Sequence, residues 1–189
     1  MAWDKGFQPA IKHPDPIAEA KLLKGELTDE QAKAMLGKLL RYNLGFTWTF
    51  LSRQKMFLPF QEIILNSWFS KDRSLVIAGR GVGKSYLLAV FICLYSMFYP
   101  GTKIVLVANN FRRVKDIFSQ IEKFLNYKPA ILLRQCFELK TQNAIKMGRQ
   151  NDQYILNCIN GSTVKGLPLG VGENLRGERA NVLIIDEGL

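Results

Sequence analysis

The feature that most constrains this sequence is a glycine-rich stretch between two apolar segments. The stretch reads Ala-Gly-Arg-Gly-Val-Gly-Lys-Ser and covers residues 78–85. It follows a short β-branched run at 74–78, which predicts a strand, and it leads into an apolar segment that predicts a helix over 83–98. The stretch matches the phosphate-binding P-loop pattern, with Ala78 in place of the first glycine. A strand, a P-loop and a helix in this order predict an α/β fold.

Composition narrows the possibilities further. With 189 residues, 48% hydrophobic and 22% charged, the chain is large enough for one sizeable core, and intrinsic disorder is excluded. The net charge of +10 favours an anionic partner such as nucleic acid or an acidic membrane surface. The basic excess is spread along the chain and is densest at Arg112, Arg113 and Lys115, so it locates no DNA-binding surface.

Several site classes are excluded by residue counts. The three cysteines, Cys93, Cys136 and Cys158, form no Cys-x-x-Cys pair and so suggest neither a disulfide framework nor a zinc site. His13 is the single histidine, which rules out a histidine-based triad or a multi-histidine metal site. The first residues lack the apolar core of a signal peptide, and the apolar run 87–99 is too short to cross a bilayer. We predict that this run is a buried helix.

The remaining pattern divides the chain into two parts. Residues 1–57 predict a small helical region, in which Thr28 and Gln31 have the spacing of a helix-capping box. Residues 58–189 predict an α/β domain with a mostly parallel sheet. Its other helices are expected at 60–69, after Pro59, and from Asn110 onward. Its other strands are expected at 103–108, 144–147, 154–159, 163–164 and 181–186, with Asn160-Gly161 as a hairpin turn.

The P-loop and the last strand supply the residues for phosphate chemistry. Lys84 is expected to reach the β- and γ-phosphates and the Ser85 hydroxyl to ligate Mg²⁺. The strand 181–186 ends in Asp186 and Glu187, at the edge where α/β sheets bind ligands. Asp186 is expected to hold Mg²⁺ and Glu187 to polarise the attacking water. Taken alone, an acidic pair after an apolar run is more often a strand end that meets solvent; together with the P-loop it favours the catalytic interpretation.

Four stretches together resemble the ATPase domain of the large terminase subunit of tailed bacteriophages. They are Leu-Pro-Phe-Gln at 58–61 with Ile-Ile-Leu at 63–65, the P-loop, Asn-Gly-Ser at 160–162, and the segment 175–187. The resemblance implies a P-loop NTPase fold of the ASCE type that binds ATP and Mg²⁺. In it Gln61 contacts adenine, Arg80 stabilises charge beside Lys84, and Glu187 is the catalytic carboxylate. The nucleotide-binding positions it implies are Gln61, Gly79, Gly81, Val82, Gly83, Lys84, Ser85 and Tyr86.

The same resemblance implies a motor that packages double-stranded DNA into procapsids. Its expected partners are double-stranded DNA, the portal protein, the small terminase subunit and further copies of itself in a ring, with no membrane. The expected location is the host cytoplasm, transiently on the procapsid and not in the mature virion. Arg176 and Arg179 are expected either to sense nucleotide or a neighbouring subunit, or to be surface charges. A helicase-like nucleic-acid-dependent ATPase and a truncated non-catalytic nucleotide- or partner-binding module remain alternatives.

The position of the chain end carries one more expectation. Leu189 comes two residues after Glu187. In the resembled family the next strand bears the motif that couples hydrolysis to movement and inserts between the P-loop strand and the acidic strand, and an RNase H-like nuclease domain follows. We therefore expect this sequence to be one segment of a larger terminase, with a gap in its sheet and two exposed strand edges.

Overall fold

A computed structural model describes residues 24–25, 28–55, 57–138, 148–150, 153–169 and 179–186. Its helices are α1 (Asp29–Tyr42), α2 (Leu44–Ser52), α3 (Pro59–Ser70), α4 (Lys84–Phe98), α5 (Phe111–Asn126) and the short α6 (Ile131–Arg134). Its strands are β1 (Lys103–Ala108), β2 (Gly148–Gln150), β3 (Gln153–Asn157), β4 (Thr163–Pro168) and β5 (Val182–Asp186). The strand expected at 144–147, together with Arg176 and Glu187, lies outside the described residues.

The two N-terminal helices differ in how deeply they are buried. The predicted capping box begins α1, with Thr28 N donating to Gln31 Oε1 and Gln31 N donating to Thr28 Oγ1. No residue of α1 is fully buried, so its apolar stripe is covered only in part by the described chain. In α2, by contrast, Leu44 and Trp48 are buried in the core, which makes α2 the helix that fixes this region to the domain.

The central helix α4 is buried as predicted. Its residues from Leu87 to Leu94 are all buried, which explains why the segment is apolar on every side. The next helix, α5, has the predicted single apolar face, and Asn110 caps it by accepting a hydrogen bond from Arg113 N at 3.0 Å. The helices α4 and α5 pack against one another, and α5 also contacts β1, β3 and β4. They form the main core with one face of the sheet.

The sheet is mixed rather than mostly parallel. Its strand order is β2-β3-β4-β1-β5. The strand β1 pairs in parallel with β4 and β5, whereas β2, β3 and β4 pair in antiparallel fashion. The antiparallel part follows from the Asn160-Gly161 turn, which was predicted, because a short turn between successive strands forces them to run in opposite directions. The parallel expectation therefore holds only around β1.

The prediction of a strand at 74–78 is wrong, because these residues have no regular secondary structure. Leu75 is 85% and Ile77 90% exposed, while Val76 and Ala78 are half-buried, so in the described chain this β-branched run has no strand neighbour and one open face. An apolar run forms a strand only where an adjacent strand accepts its backbone hydrogen bonds. Here β5 pairs with β1 on one side, and no described strand pairs with residues 74–78.

The strand β5 is also less buried than its sequence predicts. Ile184 and Asp186 are buried, while Leu183 and Ile185 are 59% and 61% exposed. The alternation shows that the core covers one face of β5 and that the described chain leaves its other face open. Within the described residues, no helix is long and apolar enough to span a membrane.

Candidate functional site

The glycine-rich loop, residues 78–83, leads directly into α4. Gly81 and Gly83 have φ angles of +84° and +87°, in the left-handed region where a side chain is strained. A Cβ added to Gly79 or Gly81 would meet no atom within 4 Å, so these glycines face open space. Glycine at 81 and 83 is therefore required by the backbone path of the loop.

Lys84 is held inside this loop. Its Nζ donates hydrogen bonds to the carbonyl oxygens of Ala78 and Gly79, at 2.6 and 3.0 Å. The ammonium group thus lies across the loop rather than extending into solvent. A cation at this place is available to any anion that the loop receives.

The start of α4 adds backbone donors to the lysine. Gly83 is the N-cap, and no side chain caps the helix there. The first intrahelical bond into the cap joins Leu87 N to Gly83 O, so the N–H groups of Lys84, Ser85 and Tyr86 have no acceptor within the helix. Unpaired N–H groups together with the helix dipole make this end suited to a phosphate or another anion.

Gln61, in the first turn of α3, contacts the loop directly. Its Oε1 accepts a hydrogen bond from Leu58 N at 3.0 Å, and its Nε2 donates one to the carbonyl oxygen of Val82 at 3.3 Å. A Cβ added to Gly83 would come within 3.0 Å of the same Nε2. The structure therefore brings the predicted Gln61 and the predicted loop together, through the loop backbone.

Tyr86 connects the start of α4 with the N-terminal helices. Its hydroxyl accepts a hydrogen bond from Trp48 Nε1 at 3.0 Å, and its ring packs edge-on against Phe57 and Phe124. Burial raises the pKa of the Tyr86 hydroxyl, and the Trp48 hydrogen bond lowers it by a smaller amount. The side chain of Tyr86 thus serves packing, and only its backbone N–H remains for a ligand.

The order of the elements predicts that Asp186 lies at the same edge of the sheet as the loop. A short turn joins Phe98 at the end of α4 to Lys103 at the start of β1, so the two elements run in opposite directions. Both are about 20 Å long at the usual rise per residue, so Lys84 is expected near the level of Ala108. Ala108 is the register partner of Asp186, which is buried. We therefore expect Asp186 and the loop to lie at the same carboxyl edge of the parallel strands.

The other predicted site residues are more exposed. Arg80 and Ser85 are exposed on the loop and at the start of α4, and Arg179 is exposed before β5. Glu187 lies outside the described residues, so the structure describes the acidic pair only as far as Asp186. Gly79, Gly81, Val82 and Gly83 form the loop itself.

A family model described as "Terminase large subunit, T4likevirus-type, N-terminal" matches residues 75–189, more than half of the chain. The chain belongs to this terminase family. A curated relative, "Probable terminase, large subunit" of Enterobacteria phage P7, is 33% identical over 133 residues. The match covers 67% of this chain and 25% of the relative, so the chain spans about a quarter of that protein's length.

The terminase match includes Asn160 and Ser162, whose role the sequence did not reveal. Asn160 Nδ2 donates to the carbonyl oxygens of Ser96 and Met97, at 2.8 and 3.0 Å. Ser162 Oγ donates to Tyr99 O and accepts from Thr102 N. These bonds satisfy the last carbonyl groups of α4 and of the turn that follows it. The Asn-Gly-Ser stretch therefore fixes the carboxyl end of the helix that begins at Lys84.

The three thiols of the terminase chain lie closer together than their spacing suggests. Cys93 and Cys158 are buried, Cys136 is half-buried, and all three are unpaired. Burial raises the pKa of Cys158 to about 11, and a hydrogen bond with Ser96 opposes part of that rise. In the described part of the chain no cluster of histidine, cysteine or carboxylate side chains has the arrangement of a metal site. Reactivity at neutral pH is not expected of such protonated thiols.

Proposed function

We propose that this chain is the ATPase part of a phage DNA-packaging terminase, hydrolysing ATP with Mg²⁺ to drive double-stranded DNA into the procapsid. The observation that carries the proposal is the position of Lys84, held by the carbonyl groups of Ala78 and Gly79 within a glycine-rich loop at a helix start. A lysine within a glycine-rich loop at a helix start suits phosphate binding, and the family membership of the chain supports the same proposal.

The loop and the helix start would bind the triphosphate. The N–H groups of Gly79, Gly81, Val82 and Gly83, followed by those of Lys84, Ser85 and Tyr86, supply donors along one turn of the chain. Lys84 exchanges its two carbonyl acceptors for oxygens of the β- and γ-phosphates. Arg80, exposed on the same loop, adds a second positive charge close to the transferred phosphate.

The donor set for Mg²⁺ consists of oxygens on two elements. The Ser85 hydroxyl and the Asp186 carboxylate are of the type that Mg²⁺ prefers, and the order of the elements supports a position for both at the carboxyl edge of the sheet. When bound, Mg²⁺ neutralises charge on the β- and γ-phosphates. Glu187, next to Asp186 in sequence, accepts a proton from the attacking water as general base. Gln61 is in reach of the nucleotide because it contacts Val82 and Gly83.

The proposed DNA role rests on family membership and on the positive charge of the chain. The net charge of +10 favours a polyanionic partner, although the described basic residues form no single stripe. We infer that the chain acts in the host cytoplasm with the portal protein and the small terminase subunit, as part of a ring of identical subunits.

The proposal is tested by nucleotide binding and turnover. Lys84→Met is expected to weaken MgATP binding by about a hundredfold or more, since it removes a charge from the phosphate site. Lys71→Met, which removes an exposed lysine after α3, is the matched control and is expected to bind MgATP normally. Glu187→Gln is expected to bind MgATP and to abolish phosphate release.

Each outcome separates the proposal from an alternative. Turnover that is unchanged in Glu187→Gln, or binding that is unchanged in Lys84→Met, contradicts the ATPase. Binding without turnover in the unaltered chain favours a nucleotide-binding module. Hydrolysis coupled to strand separation, without dependence on the portal, favours a helicase-like ATPase over the packaging motor.

A further inference from the structure

We propose that Gln61 is a positioning residue that holds the glycine-rich loop in its phosphate-binding conformation, whichever base the nucleotide carries. The inference rests on the proposed nucleotide site and adds a role for Gln61 that does not depend on adenine. Its basis is that both ends of the Gln61 amide already bond to the protein backbone.

The first of these bonds fixes the side chain to its own helix. Leu58 N donates to Gln61 Oε1 at 3.0 Å, three residues away, in the manner of a capping-box glutamine. This bond orients the amide so that Nε2 points away from α3. Because the Gln61 side chain is already held by one hydrogen bond, forming the second one costs less conformational entropy than it would for a free side chain.

The second bond fixes the loop to that oriented amide. Nε2 donates to Val82 O at 3.3 Å, and Gly83 passes so close that a Cβ there would lie 3.0 Å from Nε2. Val82 lies between Gly81 and Gly83, the two residues of this loop with positive φ. A glycine-flanked peptide has many accessible conformations, so a hydrogen bond at this point removes most of the freedom that phosphate binding would otherwise have to remove.

The helix that carries Gln61 is itself fixed to α4. At the far end of α3, Trp68 and Phe69 pack their rings edge-on against Phe91 of α4, with centroids 5.6 and 5.2 Å apart. The loop therefore lies between α4, which it enters, and the first turn of α3, which Gln61 connects to it. The Gln61 amide thereby connects α3, which is packed on α4, to the loop that leads into α4.

This role differs in a measurable way from reading adenine. A residue that reads the base contributes to ATP binding and not to the binding of inorganic tripolyphosphate, which has no base. A residue that holds the loop contributes equally to ATP, GTP and tripolyphosphate, because all three place phosphates in the same loop. The comparison of these ligands separates the two roles.

The experiment uses Gln61→Met in the whole chain, since methionine has a similar length, no charge and no amide. Its matched control is Gln31→Met, which deletes the equivalent capping bond of α1, where Gln31 Oε1 accepts from Thr28 N at 3.1 Å. Binding of MgATP, MgGTP and Mg-tripolyphosphate is measured by calorimetry. Hydrogen exchange of the amides at 79–83 is measured without ligand, and thermal unfolding checks that each variant folds.

We expect Gln61→Met to weaken all three ligands by the same factor, roughly three- to tenfold, the worth of one hydrogen bond. The loop amides are expected to exchange faster in Gln61→Met than in Gln31→Met or the unaltered chain. Loss confined to MgATP, or equal losses in the two variants, overturns the inference. If the unaltered chain binds neither ATP nor tripolyphosphate, the proposed function fails and the inference fails with it.

Discussion

Trp48 donates a hydrogen bond from its indole Nε1 to the hydroxyl of Tyr86, across 3.0 Å. The bond joins α2 to the first turn of α4, two residues after Lys84. Trp48 is fully buried and packs edge-on against Phe124, which in turn contacts Tyr86. The N-terminal helical region and the domain that carries the candidate site are therefore one packed unit at this point.

Removal of the Tyr86 hydroxyl tests this connection. Tyr86→Phe leaves the Trp48 N–H buried and without its acceptor, which is expected to lower the free energy of unfolding by about 1–3 kcal/mol. Tyr127→Phe removes a hydroxyl from a side chain that is 42% exposed, and we expect little change there. Urea denaturation measures both variants, and equal losses would show that the Trp48 bond contributes nothing specific.

A methyl group at Gly166 is expected to disturb the packing of α5 on the sheet. An added Cβ would lie 2.5 Å from both Phe118 Cε2 and Val114 Cγ1. Gly166→Ala should therefore lower the free energy of unfolding by about 1–3 kcal/mol, the usual cost of overpacking. Gly37→Ala in α1, where an added Cβ meets nothing within 4 Å, is expected to raise stability slightly.

Partial rescue would identify overpacking as the cause. Phe118→Leu makes room beside Gly166, so the double variant is expected to lose less than the sum of the two single variants. Strict additivity in thermal or urea unfolding would contradict this explanation.

The turn at Asn160 predicts an order of stability for two substitutions. Asn160→Ala loses the bonds to the carbonyl groups of Ser96 and Met97, at an expected cost of about 1–3 kcal/mol. Asn160→Asp is expected to cost more, because a carboxylate would face two carbonyl oxygens and the negative end of the α4 dipole. Urea denaturation from pH 7 down to pH 4 is the measurement. A deficit of the Asp variant that persists unchanged after its carboxylate is protonated would argue against the electrostatic explanation.

Cys158 is expected to make stability fall at alkaline pH. Burial raises its pKa in the folded chain to about 11 from an ordinary value of 9.0. Below pH 9 the thiol is protonated in both the folded and the unfolded chain. Between pH 9 and about 11 only the thiol of the unfolded chain ionises. The free energy of unfolding therefore falls as the pH rises through this window. The stability difference between the unaltered chain and Cys158→Ala should shrink by at most about 2–3 kcal/mol from pH 8.5 to pH 11. A constant difference in urea denaturation would show that the thiol does not titrate in this way.

Much of the local structure was predictable from sequence because it depends on neighbouring residues. The capping pairs of α1 and α5, the buried helix α4 and the turn at Asn160-Gly161 all follow from residue types at fixed short spacings. The glycine-rich loop could likewise be predicted, because the loop backbone needs positive φ at Gly81 and Gly83, and glycine adopts positive φ without strain. Gln61 was predicted as a site residue, although its contact with Val82 was not.

The predictions that failed concern partners far along the chain. The β-branched run at 74–78 has the composition of a strand, but a strand also needs a neighbour, and the described sheet provides none for this run. The antiparallel part of the sheet follows from the Asn160-Gly161 turn, whereas the parallel pairing of β1 with β4 and β5 joins segments far apart in the chain and is specified by no local spacing.

The sequence by itself determined the glycine-rich loop and most of the helices, and it identified the loop and the residues near Asp186 as candidates for phosphate chemistry. Only the tertiary structure decided that Gln61 bonds to the loop, that Tyr86 bonds to Trp48, and that Asn160 holds the end of α4. The physical reason is range: backbone conformation and helix capping act over a few residues, whereas hydrogen bonds and packing between elements depend on how the whole core assembles.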